Sequence, residues 1–259
     1  MKVIAISNQK GGVGKTTTSV NLAAGIAAAG RRVVLIDLDP QANATSGLGV
    51  DLSEETGSVS LYEPLLGESS ASDKVRATGR ENLFLIPSEM DLAGVEIELA
   101  RTDSHLTRLR EVLAPLKVRN EYDFAILDCP PSLGVLMTAS LAAADEILIP
   151  LQCEFYGLEG LAKIMQVVAQ IRESGANPEL TVEGIVMTMF DGRTNLARQV
   201  VEEVRRHFPN EVYQTVIPRS VRVGEAPSFG RTVIEHDPEG VAATAFHALG
   251  IEFLQRHQS

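Results

Sequence analysis

An α/β fold, with a doubly wound and mostly parallel sheet flanked by helices, is predicted by three features of this sequence. Short runs that are apolar throughout recur along the chain, and a strand without polar alternation is buried on both faces, as in parallel sheets. Segments of helical length separate those runs. A glycine-rich loop directly follows the first run, at the kind of strand end where such sheets bind ligands.

The first strand is KVIAIS, residues 2–7. After the loop, TTTSVNLAAGIAAAG places Val20, Ala23, Ala24 and Ala27 on one helical face. Gly30 is placed to end that helix as its C′ residue, and Arg31 and Arg32 fall near the negative end of its dipole. VVLIDL, 33–38, is the next buried strand and completes a right-handed βαβ unit. Further strands are expected at 82–87, 124–128, 146–151, 184–188 and 212–217. Helices are expected near 90–101, 104–118, 134–144, 157–173, 194–208 and 239–256. The stretch 51–80, with its Gly, Ser and Glu, reads as loop with a short helix around Leu61–Leu66. No Pro-, Gly- or Ser-rich linker, low-complexity tract or repeat interrupts the pattern, so one domain over residues 1–259 is expected.

Composition narrows the function. The chain is 44% hydrophobic and 22% charged, ordinary values for a globular protein. Aromatic residues make up only 5%, without Trp, so stacking platforms for single-stranded nucleic acid are not expected. Two cysteines, Cys129 and Cys153, are too few for a disulfide framework. The first apolar run is too short for a secretory leader and no long apolar stretch exists, so a cytoplasmic location without membrane contact is expected. The net charge of −11 opposes indiscriminate nucleic-acid binding, yet it is uneven. Residues 51–103 hold 12 acids and 4 bases (−8), whereas 193–231 hold 7 arginines and 4 glutamates (+3).

The loop itself reads NQKGGVGKTT, residues 8–17. Gly14-Lys15-Thr16 ends a P-loop, but the glycine expected five places before Gly14 is Gln9, and a second lysine, Lys10, stands beside it. Gly11, Gly12 and Gly14 let the backbone amides around Val13 and the helix N-terminus, through Thr17, face a polyphosphate. Lys15 would reach the β- and γ-phosphates, and the Thr16 hydroxyl would ligate Mg²⁺. Asp128, at the end of FAILD, is placed as a Walker B acid for Mg²⁺. Asp37 and Asp39 end the strand after the loop helix, two apart and on one side of the chain. A strand-end Asp can simply cap a turn, as Pro40 would permit here. Three acids at the sheet edge that carries a P-loop favour the metal reading.

KGGVGKTT, VVLIDLDPQANATSGLG, DCPPSLG, CEFYGLEG, TMFDGRTNLARQV and VIPRSVRVGEAPSFG together resemble the ParA/Soj chromosome- and plasmid-partitioning ATPases. These belong to the deviant-Walker-A class of P-loop NTPases that includes MinD. The resemblance implies ATP and Mg²⁺ as ligands and a homodimer that sandwiches ATP. Lys10 would then be the lysine that crosses to the partner's nucleotide and Lys15 the one acting within its own subunit. It also implies that Asp39 orients the attacking water, that Asp37 lies near Mg²⁺ through water, and that Gly12 permits close approach of the two subunits. Adenine would be met around Met189, Pro218 and Ser220. The family usually has Gly where Ala42 stands, and Asn where Ser220 stands. Ala42 therefore restricts the turn after Asp39, and Ser220 offers fewer hydrogen-bonding groups to adenine.

The family resemblance also gives the arginines a role, as nonspecific phosphate contacts to double-stranded DNA, with Arg193, Arg219 and Arg222 the favoured positions. A solvated helix face with pairs such as Glu202–Arg206 is the plainer account. The function implied is DNA segregation: the ATP dimer stays on the nucleoid until a ParB-like centromere-binding partner stimulates hydrolysis. Two other readings compete with it. A MinD-like membrane-cycling or cargo-positioning regulator needs a basic amphipathic C-terminal helix, and AFHALGIEFLQRHQS reads instead as core-packing. An iron–sulfur reductase would bridge two subunits with four thiolates, but both cysteines read as small buried hydrophobes.

Overall fold

The structure, a computed structural model, describes residues 1–102 and 104–258. Asp103, one of the acids of the 51–103 segment, and Ser259 lie outside them. The chain runs β1 Lys2–Ile6, α1 Lys15–Ala28, β2 Val33–Asp37, α2 Asn43–Leu48, α3 Tyr62–Leu66, β3 Arg76–Ala77 and β4 Leu83–Ile86. It continues with α4 Leu92–Leu99, α5 Arg108–Arg119, β5 Phe124–Asp128, α6 Val135–Ala143, β6 Glu146–Gln152 and α7 Gly157–Glu173. Last come β7 Thr181–Phe190, α8 Asn195–His207, β8 Val212–Pro218, α9 Val221–Glu225, α10 Val233–His236 and α11 Val241–Arg256.

The strands form one sheet in the order β3-β4-β2-β5-β1-β6-β7-β8. Every described pairing is parallel except β3 with β4. Successive residues of a strand face opposite layers: Val3 and Ala5 belong to the core under α3–α8, and Ile4 and Ile6 to the core under α1, α2 and α9–α11. Both layers being filled explains why the strands read as unbroken apolar runs. Chain direction across the sheet reverses around β1, which brings the loop after β1 to the switch point.

Two expectations are corrected. Helix α1 is not buried on one face only: Thr18, Ser19, Asn21, Leu22, Gly25 and Ile26 are buried as well, because α11 packs across it. Backbone passes so close that a Cβ on Gly25 would lie 3.1 Å from the Phe246 carbonyl and 3.7 Å from Gly250 Cα. Arg31 and Arg32 follow the C-terminal end of α1 as expected, with the Arg31 amide donating to the Ile26 carbonyl at 3.3 Å, and Arg32 also reaches the neighbouring chain. The Arg32 amide donates to Asp123 at 2.8 Å, and its guanidinium stands 5.0 Å from the centre of the Phe84 ring. Within 51–80 the chain also forms β3 and a 3₁₀ turn at Ala71–Lys74. The strand is only two residues long, so pairing with β4 defines it and no periodicity announces it. Helix α11 does bury Phe246, Leu249 and Phe253 completely, as its core-packing reading requires. No described helix is long and apolar enough to cross a membrane.

Candidate nucleotide site

The loop between β1 and α1 takes its shape from two left-handed residues, Gly12 at φ +73° and Gly14 at φ +89°, a conformation that an L side chain resists. Gly14 sits at the head of α1, and no side chain caps that helix nor does an acid occupy its first turn. Its first-turn amides, which no helix satisfies internally, face the loop and suit an anion. Val13 is buried, and its carbonyl accepts a hydrogen bond of 2.8 Å from the Thr188 hydroxyl, which ties the loop to the end of β7.

The two lysines diverge. Lys15 is buried, and its ammonium donates to the Lys10 carbonyl at 3.3 Å, lying across its own loop. Burial lowers its pKa, while the charges of Asp128, Cys129 and Asp39 work against that shift. The Lys10 ammonium points outward to β6 and the turn after it, 3.4 Å from Gln152 Oε1 and 3.6 Å from Glu154 Oε2.

Asp37 and Asp128 are register partners at the carboxyl ends of β2 and β5, and both are fully buried. Asp37 accepts hydrogen bonds from the Thr45 amide (2.9 Å) and hydroxyl (2.8 Å) through Oδ2, and from the Asp39 amide (3.1 Å) through Oδ1. Asp128 Oδ1 accepts from the Ser19 hydroxyl at 2.7 Å, whereas its Oδ2 is buried without a partner among the described residues. Burial raises the Asp128 carboxyl to about 7, with repulsion from Asp37 adding to it and the Ser19 and Thr16 hydroxyls opposing it. Burial likewise raises Asp37 to about 6 against its Thr45 hydrogen bonds. Two adjoining buried carboxyls and an orphaned oxygen call for a cation. Among the described residues no three acid, His or Cys groups converge into an all-protein cage. That suits Mg²⁺, which keeps its waters and takes phosphate oxygens. Asp39 is largely buried, and its carboxylate is fixed by the Gln41 amide at 3.0 Å. Ala42, three residues on, takes the left-handed conformation at φ +52°, where a Cβ is strained.

Met189, Pro218 and Ser220 do come together. They line a cavity of about 230 Å³ that reaches Gly14 and Thr17 at the loop and Phe246 at the back. Met189 also has φ +52°, a strained backbone at the mouth of a candidate ligand cavity. A larger depression, about 480 Å³, lies at the opposite end of the sheet. Its charges are already matched, for example Lys117 with Asp145 at 2.9 Å and Arg31 with Asp123 at 3.5 Å.

Of the favoured arginines, Arg219 lines the Met189 cavity between Pro218 and Ser220 whereas Arg193 and Arg222 do not, and each of the three holds an acid. Arg193 grips Asp191 through Nε (2.8 Å) and a terminal nitrogen (2.7 Å), Arg222 holds Glu225 at 2.8 Å, and Arg219 lies 3.5 Å from Glu154. Arg206 pairs with Glu203 one turn back, not with Glu202. Cys129 and Cys153 are buried, and burial pushes both thiols up to about 12, which suits packing and not cluster ligation. Sequence reading missed Ser19, Thr45, Thr188, Gln152 and Glu154. The hydroxyl run after Lys15 hinted at Ser19; the others carry no local signature, because their partners are distant in the chain.

A family profile described as "AAA domain" matches residues 1–182. The chain is 49% identical over 251 residues to the sporulation initiation inhibitor protein Soj of Bacillus subtilis, covering 97% of each chain. It is 48% identical over 255 residues to the chromosome partitioning protein ParA of Myxococcus xanthus, covering 98% of this chain and 88% of that one. The chain belongs to the ParA/Soj family. Among solved structures it is similar to the cobyrinic acid a,c-diamide synthase of Mycobacterium smegmatis, solved with an ATP analog and magnesium. That match has a TM-score of 0.86 at 33% identity and covers 100% of this chain and 96% of the other. The higher identity of the partitioning relatives decides the family, and the solved neighbour shows the same fold around a nucleotide.

Proposed function

We propose that the protein is a DNA-segregation ATPase that hydrolyses ATP to ADP and phosphate with Mg²⁺. The observation that carries the chemistry is the buried pair Asp37 and Asp128, with one unpartnered oxygen, beside the buried Lys15. Mg²⁺, held by the Thr16 hydroxyl and Asp128 and reached from Asp37 through water, would neutralise charge on the phosphates. Lys15 supplies a fixed cation inside its own subunit, and the amides from Gly11 to Thr17 bind phosphate oxygens. Asp39, held by Gln41, orients the attacking water. Met189, Pro218 and Ser220 enclose the base.

The course of Lys10 supports a dimer in which it completes the partner's site, because its ammonium turns to Gln152 and Glu154 and not into its own loop, as that of Lys15 does. Two copies of a weak arginine surface, with Arg193, Arg219 and Arg222 on each, then act together on double-stranded DNA. Nucleotide state thereby controls residence on the nucleoid in the cytoplasm, and a ParB-like partner releases the protein by stimulating hydrolysis. The test is DNA retention with ATP, a slowly hydrolysed analogue or ADP over a salt series. Retention in the ATP states alone, falling steeply with salt, is expected. Equal retention in all three states would end this reading.

A further inference from the structure

Resting on the ATP-dimer reading above, we propose that Glu154 is a positioning residue that holds Lys10 within its own subunit until the dimer forms. The carboxylate is at the centre of a short network. Its Oε2 faces the Lys10 ammonium at 3.6 Å, and Gln152 accepts from the same ammonium at 3.4 Å. The Gln152 amide in turn donates to Glu154 Oε1 at 2.7 Å, which sets the carboxylate's direction. Lys10 is also anchored at its backbone, where its amide donates to Asn8 Oδ1 at 3.1 Å. The loop therefore stays in place while the four-carbon stem of Lys10 is free to swing.

Release requires that neither partner be stranded. Glu154 Oε1 already lies 3.5 Å from the Arg219 guanidinium, so the carboxylate keeps a cation when Lys10 leaves. Lys10 would meanwhile exchange one carboxylate for a polyphosphate. The Glu154 side chain is 45% exposed and that of Lys10 28%, so the hold is weak and salt-sensitive, as a reversible latch must be. An exposed pair of this kind shifts an equilibrium by about 1.4- to 5-fold, and a dimer releases two.

The experiment measures self-association by analytical ultracentrifugation with a slowly hydrolysed ATP analogue and Mg²⁺. Wild type, Glu154→Gln, Glu154→Asp and Glu159→Gln are compared at low and high KCl. Glu159→Gln removes an equal charge nearby, from a residue that pairs with Lys163 at 2.7 Å instead. Glu154→Gln is expected to dimerise about 2- to 30-fold more tightly than wild type at low salt. The gain should shrink at high salt, Glu154→Asp should return toward wild type, and nucleotide affinity of the single subunit should not change. An unchanged or weakened Glu154→Gln dimer, or an equal gain from Glu159→Gln, overturns the latch. A wild type that fails to dimerise with any nucleotide overturns the dimer reading itself, and the latch with it.

Discussion

At the phosphate end of the sheet, Asp37 and Asp128 are buried side by side and Lys15 is buried beside them. In the arginine segment, Arg193 stands 89% exposed, and both it and Arg222 hold an acid within three residues. The first region keeps charge where water cannot solvate it, and one oxygen is left without a partner. The second keeps charge where water and neighbours satisfy it. Buried, unmatched charge is therefore strong support for a ligand, because desolvation penalises it until a counter-ion arrives. Exposed, matched charge gains meaning only from geometry, here from the doubling that the proposed dimer would give.

The sharpest way to break this contrast is to remove its cations. Lys15→Ala should lower ATP turnover by about 10²- to 10³-fold, the usual effect of deleting one group that stabilises transition-state charge. Lys10→Ala should lower turnover comparably and abolish ATP-dependent dimers in ultracentrifugation, while binding of a fluorescent nucleotide to the single subunit persists. Intact dimers and turnover after that change would leave the arginine surface without a switch.

The buried acids give the next largest effect, and its sign follows from their raised values. A carboxyl at about 7 in the fold, against about 3.9 unfolded, binds its proton more tightly when folded. The stability it contributes is full below pH 4 and is lost as pH rises through 7. The nucleotide-free protein should accordingly melt at lower temperature at pH 8 than at pH 6. Mg²⁺–nucleotide affinity should rise over the same interval, since the proposed metal site requires the charged form. Asp128→Asn should flatten the melting profile, stabilise the nucleotide-free protein at pH 8 by on the order of 1–3 kcal/mol, and remove the extra stabilisation that Mg²⁺ adds to nucleotide. A pH-independent melting temperature in wild type would count against the paired, cation-seeking carboxyls.

In the arginine segment the expected changes are smaller and are read in salt dependence. Arg193→Ala and Arg222→Ala should each reduce the slope of log affinity against log salt by about 1 for every phosphate that the arginine neutralises. ATP binding should be untouched. An unchanged slope would assign that arginine to its local acid alone. Smallest is Ala42→Gly: relief of a left-handed Cβ at φ +52°, offset by glycine's chain entropy, should stabilise by about 0.5–1 kcal/mol. A rise of about 1–3 °C in melting temperature follows for a chain of this size.

Much of this was legible in the order of residues. The strand at 124–128 and the helix at 157–173 fall where apolar runs and helical spacing put them. Gly30 ends α1 in the left-handed conformation expected of it. The phosphate loop and its three acids reach one sheet edge because each ends or follows a parallel strand. These features depend on neighbours within a turn or a few residues, so periodicity and turn chemistry determine them. Tertiary structure alone decided that Asp37 faces Asp128 across two strands, that α11 closes the second side of α1, and that Glu154 receives Lys10. Those outcomes pair residues far apart in sequence, where no local spacing applies. Only sheet order and close packing choose which charges meet and which are left buried without a partner.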